Sequence, residues 1–188
     1  MRLFLILILS GFCFQLNVGF TGETKNIVDY YLTLPGEYFV CDAGAVQDTK
    51  DFRTKCIQYK NIKNGYLRAK VDNGLQYPLE VALYKDRSNQ RDIIAVSIDC
   101  GPGCLCNVFK LLALDKKGQW EVIENILPIQ EMEKTLEKLQ KKSDNELFPA
   151  FILPEFGTTI KVIDSKTKNL LYELIWQAGK FQVTGTVK

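Results

Sequence analysis

Three of the chain's six cysteines fall within eight residues, DCGPGCLC from Asp99 to Cys106. Sulfurs at that density have three chemistries open to them. Four thiolate or imidazole ligands can close around zinc or an iron–sulphur cluster, a thiol with a lowered pKa can exchange disulfides, or the sulfurs can pair and staple a turn. The chain has no histidine, so a four-ligand centre would need Cys41 or Cys56 beside Cys100, Cys104 and Cys106. The C-x3-C-x-C spacing is not that of a zinc ribbon or finger, and Cu(I), which soft thiolates suit, is the ion that fits best. A redox pair is expected as C-x-x-C at a helix N-terminus, where the dipole lowers the thiol pKa, whereas these cysteines lie between two predicted strands.

The staple asks least of the sequence. In Gly101-Pro102-Gly103 the proline fixes φ for the first central position of a turn and a glycine takes the positive φ of the second. A disulfide from Cys100 to Cys104 or Cys106 would close that bend. One from Cys41 to Cys56 would close a sixteen-residue ring, worth about 3 kcal/mol by chain entropy. Five cysteines remain once Cys13 leaves with the leader described below, so one is left over. The odd cysteine keeps a thiol-active or Cu(I)-binding role open as the alternative.

Absent residue types exclude more than present ones suggest. Without histidine there is no Ser-His-Asp or Cys-His arrangement and no histidine general base. Glu80, Asp99, Glu121, Glu124 and Glu155 are the carboxylates of the strand region available for paired acid/base work, and each stands in an ordinary surface context. There is no phosphate loop, G-x-G-x-x-G or EF-hand loop. The expectation is therefore a protein with no catalytic residue, no metal and no cofactor. Tyrosines recur at 30, 31, 38, 59, 66, 77 and 84; they read as core first and interface second.

The first residues, MRLFLILILSGFCF, carry one charge at Arg2 and then an apolar run to Phe14. That run is short for a bilayer span and has the order of a secretory signal, taken as residues 1–19 with an end between 14 and 22. Residues 20–188 then form one β-rich domain, expected to be secreted or periplasmic, an oxidising setting in which thiols pair. Losing Arg2 takes the formal charge from +2 to +1, which points away from nucleic acid. No membrane span is expected after cleavage, and the partner is expected to be an unknown protein or envelope ligand.

The elements that must position these residues follow from periodicity. KNIVDYYLTLP suits a short helix stopped by Pro35, and 42–63 reads as a loop-rich stapled segment. Short apolar or alternating runs at 66–71, 78–85, 92–98, 105–114 and 119–123 are separated by turn compositions such as DRSNQ and DKKG, the pattern of an antiparallel meander. EMEKTLEKLQKK puts Met132, Leu136 and Leu139 on one helix face. Strands return at 147–153, 158–164, 169–176 and 180–187. NVFKLLALDKKGQWEV echoes NLLYELIWQAGKFQV with Trp120 matching Phe181. The fold class is α+β and β-rich, two antiparallel meanders bridged by one helix, with a short N-terminal helix.

The run of "LTLP", "GYL", "GQWEVIENILP", "LPEFGTTIKVID" and "LYELIWQAGKFQV" resembles small exported bacterial β-rich proteins of unassigned function across 26–185. The resemblance implies export and a β-rich domain and carries no site. The expected role is a non-catalytic binding or interaction domain.

Overall fold

A computed structural model describes residues 25–38, 49–70, 78–102, 108–143 and 145–185. Its core is a six-stranded antiparallel sheet in chain order: β1 (Ile57–Asn61), β2 (Tyr66–Lys70), β3 (Pro78–Asp86), β4 (Arg91–Ile98), β5 (Val108–Leu114) and β6 (Trp120–Val122). A second antiparallel sheet of four strands follows: β7 (Pro149–Ile152), β8 (Thr159–Asp164), β9 (Leu170–Gln177) and β10 (Lys180–Thr184). Between them runs α3 (Ile129–Gln140), while α1 (Ile27–Tyr31) and α2 (Lys50–Cys56) precede the first sheet. The two meanders and the bridging helix are thus as the periodicity predicts. One expectation is corrected: of the supposed loop-rich segment, residues 50–61 form α2 and β1. The only apolar side chain in α2 besides Cys56 is Phe52, so there is no stripe to read; Thr49, accepting from the Phe52 amide at 3.2 Å, caps it.

The inner strands of the first sheet are buried on both faces, and the sequence of β4 says why. Ile93 and Ala95 join one cluster, shared with the second sheet, while Ile94, Val96 and Ile98 join another beneath α1. A strand whose two faces are both covered needs a continuous apolar run rather than alternation, and IIAVSI supplies one. Neighbouring strands divide the same way, with Leu111 and Ala113 of β5 toward the second sheet and Leu112 toward α1. Each fully buried Ile or Leu contributes roughly 1.5–3 kcal/mol to that packing.

α1 is held at both ends. Asn26 and Asp29 form a capping box, Asn26 Oδ1 accepting from the Val28 amide and Asp29 Oδ2 from the Asn26 amide, both at 2.8 Å. Beyond its other end, the buried Arg53 of α2 donates from Nη1 to the carbonyls of Leu34 at 2.6 Å, Leu32 at 3.3 Å and Tyr31 at 3.4 Å. The last turn of a helix leaves carbonyls in need of such donors, although the Tyr31 carbonyl also accepts from the Leu34 amide at 3.3 Å.

β7 and the residues after it lie across the first sheet. Phe151 stacks on Phe109 of β5, with ring centroids 4.0 Å apart and planes 4° from parallel. Its carbonyl accepts from Ser97 Oγ of β4 at 2.5 Å. Further along, the Leu153 amide donates to Glu80 Oε2 of β3 at 2.9 Å, and the Tyr59 hydroxyl of β1 donates to Glu155. One strand and its extension therefore touch four strands of the other sheet in turn.

The hairpin echo recurs in register. Leu114 pairs with Trp120 in the first sheet and Trp176 with Phe181 in the second. The packing differs: Phe181 is buried between the sheets, whereas the half-buried Trp120 packs on the α1 cluster and donates from Nε1 to the Thr33 carbonyl at 2.6 Å.

Candidate functional site

The cysteine bend begins where β4 ends. Ile98 pairs with Val108, so the strands on either side of the bend stay in register up to its mouth. Asp99 then reaches to the second sheet: its Oδ1 accepts from Ser165 Oγ at 2.6 Å and from the Gly101 amide at 3.0 Å, and its Oδ2 pairs with Lys168 Nζ at 3.0 Å. Burial pushes the Asp99 carboxyl pKa up, but the three donors outweigh it and hold the group below its usual value. Cys100 is buried and disulfide-bonded. Cys104 and Cys106, together with Cys41, lie outside the described residues, as does Tyr77. Cys56 sits half-buried at the end of α2, packed against the α1 cluster.

The five carboxylates singled out from sequence are spread over several sites. Glu80 accepts from the Tyr66 hydroxyl at 2.8 Å and the Leu153 amide. Burial above all, with Glu80 adding and Arg68 opposing, pushes the Tyr66 phenol up to about 12. Glu121 lies 3.6 Å from Arg91, and Glu155 meets Tyr59. These contacts join strands and sheets. Among the described residues no group of three or more Cys, Asp or Glu side chains is placed to hold a metal ion. No helix among them is long and apolar enough to cross a membrane. Of the tyrosines, 30, 31, 38, 66 and 84 are buried and Tyr59 is exposed.

Several hollows among the described residues have room for a ligand, and the most apolar side-chain lining among those large enough, that of a cleft beside β5, was not legible in the sequence. An apolar cleft of about 560 Å³ opens between the end of the first sheet, the start of α3 and β7. Phe109 and Leu111 of β5 form one wall and Ala150 and Phe151 of β7 another, while Met132 of α3 covers it. Ile98 and Val108, which flank the cysteine bend, also line it. The volume falls within the range of small-molecule sites. Val122 and Ile129, both among its lining residues, are 46% and 44% exposed, so apolar surface continues to the mouth. Of the described residues that line it, twelve are apolar and two are charged, Lys110 and Glu124.

Compared with protein-family models, curated proteins and solved structures, the chain matches none.

Proposed function

We propose that this is an exported, secreted or periplasmic, non-catalytic binding module whose ligand site is the cleft between β5, β7 and α3. The observation that carries the reading is an apolar volume open to solvent at the junction of two sheets, walled by side chains rigidly placed on strands. Leaving such a surface wet costs free energy that a ligand recovers on binding. The leader MRLFLILILSGFCF supports export. A buried, disulfide-bonded Cys100 at the end of β4 supports reading DCGPGCLC as a staple that fixes one wall of the site. Thiol titration of the exported protein is expected to give about one thiol, with no metal bound.

Titration with an environment-sensitive apolar dye tests the site. Dye binding is expected to weaken at least about tenfold in Met132→Trp, which fills the cleft, and in Val122→Trp, which narrows its mouth. Val122 is exposed, so its replacement leaves the core intact. Dye affinity unchanged in both folded variants would remove the cleft as the ligand site.

A further inference from the structure

A bare sheet edge runs along the cleft, and on the proposed binding reading we infer that the occupant is an extended segment of a partner polypeptide, which adds to the first sheet as a strand beside residues 108–110. β5 has seven residues and β6 only three. Their pairing ends with Leu112 opposite Val122 and one further bond, from the Ile123 amide to the Leu111 carbonyl at 2.8 Å. The chain then turns away toward α3, with the Leu127 amide donating to the Glu124 carbonyl at 3.1 Å. Val108, Phe109 and Lys110 therefore have β4 on one side and, among the described residues, no strand on the other. All three line the cleft.

Alternation decides which backbone groups face that gap. Successive residues of an inner antiparallel strand turn their N–H and C=O to opposite neighbours. The Leu111 carbonyl faces β6, so Phe109, two residues back, turns both its groups the same way. The far side of the sheet gives the same phase. The Leu83 amide donates to the Gly65 carbonyl beside β2 at 2.8 Å, and carried through the pairs Ala82–Ala95 and Ile94–Leu112 this leaves 108, 110 and 112 facing β4. Neither the N–H nor the C=O of Phe109 has a partner among the described residues. A donor and an acceptor side by side on one strand residue are what a passing strand satisfies, since the residue opposite exchanges both bonds.

The same pairing sets a side-chain preference. Residues directly opposite in a ladder share a face, and Phe109 faces the second sheet, where it stacks on Phe151. The partner residue opposite Phe109 thus enters the cleft among Leu127, Met132 and Phe151, which pack against the core cluster shared by the two sheets. That position calls for an apolar side chain, and the unbranched Met132 adapts to its shape. This chain's own outer strands are poor donors of such a segment. β1 is interrupted by a bulge between Ile57 and Tyr59, and β10 already donates outward from the Phe181 amide to the Ile126 carbonyl at 2.9 Å. β7 lies across the first sheet and β6 has three residues. The partner is accordingly a different polypeptide.

Hydrogen exchange and competition against the bound apolar dye test the inference. In the free protein the Phe109 amide is expected to exchange at least about tenfold faster than the Lys110 amide, which faces Val96 in the ladder with β4. The probe is a capped seven-residue peptide with leucine at its centre and threonine elsewhere. It is expected to displace the dye and to slow exchange at Phe109 at least about tenfold while leaving Lys110 unchanged. Methylating the leucine amide is expected to weaken displacement at least about tenfold, and methylating either neighbouring amide less than about twofold. Serine in place of the leucine is expected to cost at least about fivefold. An equal loss at all three amides, or dye displacement with no slowing at Phe109, overturns the inference. So does slowing that appears with protein concentration alone, which makes the occupant a second copy. If the dye binds and the peptide does not displace it, the cleft remains a ligand site and strand addition falls. If the dye does not bind, both fall.

Discussion

Tyr84 shows what a polar atom costs when packing takes precedence over pairing. Its ring stands 5.1 Å from Phe181 and 5.6 Å from Trp176, and its buried hydroxyl has no hydrogen-bond partner among the described residues. Burial drives its pKa far above that of a free phenol. An unsatisfied buried hydroxyl carries a desolvation cost of about 1–3 kcal/mol. Tyr84→Phe keeps the ring contacts and removes that atom, so the expected outcome is an unchanged or raised melting temperature, read by thermal denaturation.

Asp86 is the opposite case, a buried carboxylate with its bonds made. Oδ1 accepts from the Asn89 amide at 3.2 Å, and Oδ2 from Asn89 Nδ2 at 2.7 Å and Arg91 Nε at 3.4 Å. Burial raises its pKa, the Asn89 and Arg91 donors outweigh that, and the net shift is downward. A lowered folded-state pKa means stability fully present above the unfolded carboxylate value of about 3.9 and lost as pH falls through the folded value. Asp86→Asn is expected to cost about 1–3 kcal/mol at neutral pH and to flatten the acid limb of the stability curve, as denaturant titrations across pH will show. The β9–β10 turn packs on the same carboxylate: Gly179 has φ +82°, and a Cβ there would stand 3.0 Å from Asp86 Oδ1.

At the level of elements, legibility tracked how local the signal was. The strand IIAVSI and the amphipathic face of α3 are written in adjacent residues, and both formed where periodicity put them. α2 has no apolar period, because its packing residue is Arg53, whose role depends on carbonyls about twenty positions away. The cleft was less legible still: its walls come from β4, β5, β6, α3 and β7, and no pattern within one element tells which apolar residues leave space unfilled. The cysteine bend was flagged by composition, while its tether through Asp99 to Ser165 joins the residues that follow β4 and β8, strands of two different sheets. Arg53→Met keeps the stem and deletes the donors. Because it takes the charged donor from the buried Leu34 carbonyl, the expected loss is about 1–3 kcal/mol, with hydrogen exchange showing α1 opening before β4.

Over the whole molecule, strand order in each sheet equals strand order in the chain. Every ladder therefore joins sequence neighbours, and the distant contacts are those that α1 makes with the first sheet, as in Thr33 and Trp120, and those between sheets, through Phe109 and Phe151, Glu80 and Leu153, and Asp99 and Ser165. A chain emerging from a ribosome or a translocation pore, N-terminus first, can pair each strand with the one just released and never has to wait for a later partner. The six-stranded sheet is complete at residue 122, before β7 exists to lie across it. In pulse-labelled exchange the amides of β3–β5 are expected to gain protection ahead of those of β8–β9. The cleft needs α3 and β7 in place, so it forms only after the six-stranded sheet is complete, when a fifth of the chain, the part that makes β8–β10, is still to come.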